Sequence, residues 1–122
     1  MSHVKDGFRT FKAGEDLEAK RLVKIESGTT NDPPEVVYAD AGNVPIGVTE
    51  FAVDDGDLVT VRLLNDAGTF DIVCDVGSAI VRGDSLYVAN DGKVTEVANG
   101  TAYFQSMEAA TDAQELECAR LP

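Results

Sequence analysis

Apolar residues in this chain come in short runs, with turn-forming residues between them. The runs cover residues 36–39, 46–53, 58–64, 70–76, 85–89 and 93–97. Between them lie Ser27-Gly28, Asn31-Asp32-Pro33-Pro34, Ala41-Gly42-Asn43, Asp54-Asp55-Gly56-Asp57, Asn65-Asp66-Ala67-Gly68, Arg82-Gly83-Asp84, Asn90-Asp91-Gly92 and Asn99-Gly100. Gly and Asn tolerate the positive φ that tight reversals need, so these are turns with a mechanism. Within LVTVRL, Val59, Val61 and Leu63 fall on one face and Thr60 and Arg62 on the other, the period of a strand. Residues 93–97 alternate less cleanly, since Val94 and Val97 fall on opposite faces, but Asn90-Asp91-Gly92 before them is a hairpin signal. Closely spaced strands of this kind predict an all-β fold, a small barrel or a β-sandwich of short antiparallel strands. Residues 15–25 (EDLEAKRLVKI) have helix-forming composition and predict one or two helical turns, and residues 109–115 read either way.

A faint internal repeat runs through the pattern. Ile46-Gly47-Val48, followed by Asp54-Asp55-Gly56-Asp57 and the strand 58–63, is echoed by Tyr103-Phe104-Gln105, Thr111-Asp112-Ala113-Gln114 and residues 115–121. Two such units closing on one another predict one small barrel with pseudo-twofold character.

A length of 122 residues supports one domain with a core of its own. No apolar run approaches the ~20 residues of a membrane helix, and the first twenty residues contain no apolar signal core. The chain is therefore expected in solution, with no membrane partner. Cys74 and Cys118 sit in apolar segments without metal-site spacing and read as two buried thiols.

The net charge is −12, unevenly placed. Through Lys24, six basic residues outnumber four acidic ones; the rest of the chain carries four basic and eighteen acidic residues. An acidic body repels phosphate backbones, so no direct nucleic-acid binding is expected. The basic start divides the chain into an arm, residues 1–20, and a barrel domain, residues 21–122. In the arm, Val4, Phe8 and Phe11 alternate with Lys5, Arg9 and Lys12. Apolar and aromatic anchors beside cations suit a protein interface, although the same residues can pack back onto the chain's own barrel.

No catalytic constellation is visible. His3 is the sole histidine, and there is no GxGxxG, Walker or HExxH pattern. No enzymatic activity, cofactor or metal is expected. Asp54-Asp55-Gly56-Asp57 lacks the ligand ladder of a calcium loop and reads as a turn, as does Arg82-Gly83-Asp84.

Residues 20–122 resemble the small β-barrel decoration (cement) proteins of tailed-phage heads. The resemblance rests on Ile46-Gly47-Val48, the small acidic loop after it, Val59 and Val61, Gly83-Asp84-Ser85-Leu86-Tyr87, Asp91-Gly92-Lys93-Val94 and a closing apolar strand. Tyr103-Phe104-Gln105 departs from it, standing where the family repeats an apolar-Gly-Val. The resemblance implies a structural protein made in the host cytoplasm that binds the outer surface of the assembled capsid. It also implies the major capsid protein as partner, a trimer as the oligomer, and an arm that orders on docking. On that reading, deleting residues 1–12 leaves the barrel folded and abolishes capsid binding. The alternative is a β-clip or carbohydrate-binding module, with Tyr38, Tyr87 and Tyr103 as its stacking platform.

Overall fold

A computed structural model describes residues 7–28, 30 and 32–122. In chain order the strands are β1 (Phe8–Ala13), β2 (Leu22–Ile25), β3 (Glu35–Tyr38), β4 (Gly47–Thr49), β5 (Leu58–Leu63) and β6 (Thr69–Val73). They continue with β7 (Ala79–Ile80), β8 (Ser85–Val88), β9 (Val94–Thr95), β10 (Ala102–Ser106), β11 (Ala110–Thr111) and β12 (Glu115–Arg120). The fold is nearly all-β, and the one helical element described is a 3-10 turn, Asn90–Gly92, in the β8–β9 hairpin.

The first five strands close a barrel in the order β1-β3-β2-β4-β5, with β1 paired along β5. The later strands form a sheet in the order β6-β12-β10-β8-β9. This is the same plan used twice. Gly47 opposes Leu63 and Thr49 opposes Val61, as Phe104 opposes Arg120 and Ser106 opposes Cys118. Leu17 bridges Val53 as Ile80 pairs with Ala110. The parallel contact of Ala13 with Val36 returns as a parallel bridge from Cys74 to Val94, which draws β6 and β9 together.

The repeat is therefore real, but its geometry differs from the expected single barrel built from both units. The last strand of each half pairs with the first strand of the same half, β5 with β1 and β12 with β6. Backbone ladders are thus completed within halves. The halves meet through two backbone hydrogen bonds, from the Val73 N–H to the Lys20 carbonyl at 3.0 Å and from the Gly92 N–H to the Ala39 carbonyl at 2.8 Å, and through packed side chains. Period-two alternation does this in β2, where both Leu22 and Val23 are fully buried. Val23 packs in the first core with Phe11, Leu17, Val36, Val59 and Val61. Leu22 instead joins the second core, alongside Ala39, Val48 and Leu64 from the first half and Phe70, Ile72, Leu86 and Phe104 from the second. Gly92 sits at this joint with φ +71°, where an added Cβ would meet the Leu22 backbone and the Tyr38 ring. Only glycine fits that approach.

Two expectations change. Residues 15–25 form no helix: Leu17 makes a strand bridge, Lys20 has φ +62°, and the run ends in β2. Long-range pairing of Leu17 with Val53 and of Leu22 with Val48 outweighs local propensity. The boundary between arm and barrel at residue 20 also moves, because β1 is a stave of the first barrel. Phe8–Lys12 run opposite Leu58–Arg62, so removing residues 1–12 would remove a wall of the barrel rather than an appendage.

Candidate functional site

The six residues singled out in the basic segment part company in the structure. Val4 and Lys5 lie outside the described residues. Phe11 is 1% exposed and belongs to the first core, packed back onto the chain's own barrel. Strand alternation sends Phe11 and Ala13 inward and Phe8, Thr10 and Lys12 outward. Arg9 shares the inward parity but lies near the strand's end, where its guanidinium sits 5.1 Å from the centroid of the Phe11 ring and covers it. Phe8 is 39% exposed, and Lys12 lies 3.8 Å from Glu35 across the β1–β3 seam. Phe8 and Lys12 thus lie on the outer face of β1, and Arg9 lies near the strand's end over the Phe11 ring.

The other motifs resolve as turns. Asp57 donates its N–H to the Asp54 carbonyl at 3.1 Å, Gly56 has φ +87°, and the Asp55 N–H donates to Asp16 Oδ1 at 2.8 Å. Among the described residues, no cluster of three potential metal ligands is present. In Arg82-Gly83-Asp84, the Asp84 side chain accepts from the Val81 N–H at 3.0 Å and Gly83 has φ +94°. Tyr38 is half-buried, its hydroxyl accepting from the Glu18 N–H at 2.8 Å and its ring lying under Arg21. Burial raises the Tyr38 pKa. Both cysteines are free and buried. Desolvation, then the nearby carboxylates of Asp71, Glu117 and Glu108, push the Cys118 thiol up to about 12, which leaves it inert near neutral pH.

Sequence reasoning missed the exposed apolar residues, because a Val or Leu in a strand-forming run reads as core. Phe51 and Leu58 stand exposed; Leu58 lines a hollow with Leu17, Val53 and the carboxylates of Asp16, Glu18, Asp54 and Asp57. Val44 and Val97 stand exposed on loops at the joint between the halves. The signal that marks this second pair is charge: residues 41–49 and 97–107 contain no Asp, Glu, Lys, Arg or His.

Known proteins resemble the chain over nearly its whole length. The family model described as phage cement protein matches residues 5–121. Among solved structures, the N base of the head fiber gp8.5 of bacteriophage phi29 superposes with a TM-score of 0.76 at 25% identity, over 94% of this chain and 97% of that one. Among curated protein sequences, nothing matches.

Proposed function

This chain belongs to the phage cement protein family, and from that premise we propose that it binds the outer surface of an assembled phage head and stabilises the shell. The family is one of structural head proteins, which implies a role without catalysis. The observation that carries the reading is that the family match and the likeness to a head fiber base both span almost the entire chain, rather than one shared motif.

The partner in this reading is the major capsid protein, and the docking elements are the N-terminal segment with Val4 and Lys5, the outer face of β1 with Phe8 and Lys12, Arg9 near that strand's end, and the adjoining barrel rim. Charge supports this choice: the molecule is strongly acidic, and six of its ten basic residues lie within residues 1–24. Phe11 acts indirectly in this account, by holding β1 in the wall. The protein acts as a homo-oligomer, a trimer, on the virion. Many weak, symmetric contacts then sum to strong attachment, and a ligand that binds only the assembled shell stabilises it by linkage.

Cosedimentation with expanded heads that lack the protein tests the proposal. Saturable binding that Lys5→Glu, Arg9→Glu and Lys12→Glu weaken together supports it. Failure of the intact protein to pellet with heads would reject it.

A further inference from the structure

Resting on the proposed homo-oligomer, we infer that the uncharged face at the joint between the two halves is where one copy of this chain meets the next. The face is built from two loops, one within residues 41–49 and one within residues 97–107. Gly42 and Gly100 place them side by side, since a Cβ on Gly100 would lie 3.8 Å from the Gly42 Cα. Two hollows flank this contact. One is lined by Val44, Ile46, Leu63, Tyr103 and Arg120. The other is lined by Ala41, Asp75, Ala89, Val97 and Asn99.

The charge of the molecule selects the occupant. Two copies each carrying −12 repel one another wherever acidic surfaces approach. Across these two loops there are no like charges to bring together, and exposed Val44 and Val97 offer apolar area instead. Loops depleted of charged residues suit the core of a protein interface. The loop bearing Val44 is also pre-shaped: the Asp40 N–H donates to Asn43 Oδ1 at 2.9 Å, and the Ala41 N–H donates to Asn90 Oδ1 at 3.1 Å. A fixed loop loses little entropy on association.

The two hollows carry opposite charges, Asp75 in the lining of one and, in the lining of the other, Arg120, which also donates to the Leu64 carbonyl at 3.0 Å. Setting the Asp75 hollow of one copy against the Arg120 hollow of the next pairs them head to tail, an arrangement that can close into a ring. Added salt screens the repulsion between the acidic bodies and the Asp75–Arg120 attraction alike and leaves apolar contact intact, so the oligomer persists as salt rises.

The test is native mass by light scattering across protein concentration and salt, for the intact protein and for Val44→Glu and Val97→Glu, two exposed positions at which the fold tolerates a charge. The expected result is an oligomer for the intact protein and a monomer for both variants, with unchanged thermal unfolding of the variant monomers. Asp75→Lys and Arg120→Glu each weaken association, and together they restore it. An intact protein that stays monomeric throughout overturns the inference, as does an oligomer unmoved by either valine change. Head binding measured on the same samples keeps the two readings apart: an oligomer lost in both variants but unable to bind heads supports this face and rejects the capsid reading. A monomer that binds heads does the reverse.

Discussion

The guanidinium of Arg62 lies 4.1 Å from the centroid of the Phe70 ring, joining the last strand of the first half to the first strand of the second. The same group donates to Asp66 at 2.8 Å, to the Thr69 carbonyl at 2.6 Å and to the Ala67 carbonyl at 2.7 Å. One side chain thus holds every turn of the connection between the halves. Its planar fork meets three acceptors and a ring face together, which an ammonium cannot do.

Arg62→Ala is therefore expected to destabilise the protein by about 2–4 kcal/mol, combining the loss of charge-assisted hydrogen bonds with loss of the stacking contact. Arg62→Lys should recover less than half of it. Urea unfolding followed by circular dichroism measures both, and a loss below about 0.5 kcal/mol for the alanine variant would contradict this role.

Truncation separates the segment before β1 from the strand itself. Removing residues 1–6 leaves all twelve strands intact and is expected to preserve folding while weakening head binding. Removing residues 1–12 takes away most of β1, including Phe11, whose loss alone costs about 3–5 kcal/mol at a fully buried position. That protein should lose its cooperative unfolding transition. A cooperative transition in the longer truncation would show that β1 is dispensable to the barrel.

Much of this architecture was legible in the sequence. Val59 and Val61 mark β5 by strict alternation, and Asn90-Asp91-Gly92 marks the β8–β9 hairpin. The echo of residues 46–63 in residues 103–121 traced a true repeat, since Gly47 and Phe104 occupy equivalent places in their sheets. Where each unit closed was not legible, because strand pairing across the half depends on contacts distant in sequence. Phe11 shows the same limit from another side: an aromatic between cations looks like an interface anchor until the strand's parity is known, and parity depends on its pairing with β5. Leu17 and Lys20 sit in a stretch whose composition favours helix, and the pairing of Leu17 with Val53 and of Leu22 with Val48 overrides it.

Cys118 gives the protein an alkaline limit. It is fully buried, and its thiol is pushed up to about 12 from an ordinary 9.0. Below pH 9 the folded and unfolded chains both hold the proton, and the contribution to stability is complete. Above it the unfolded chain releases the proton while the folded chain keeps it, so stability falls by about 1.4 kcal/mol per pH unit until the folded thiol also ionises. Cys118→Ala should flatten this decline in urea unfolding between pH 9 and 11. An unchanged slope in that variant would remove the thiol as its cause.

The most direct test of the cement role is the temperature at which expanded heads rupture, measured by release of packaged DNA with increasing amounts of the protein. The account predicts a rise in rupture temperature that saturates once every site on the shell is filled, and that is lost when residues 1–6 are removed. Heads that rupture at the same temperature with the protein bound would contradict it, leaving a decoration without a stabilising function.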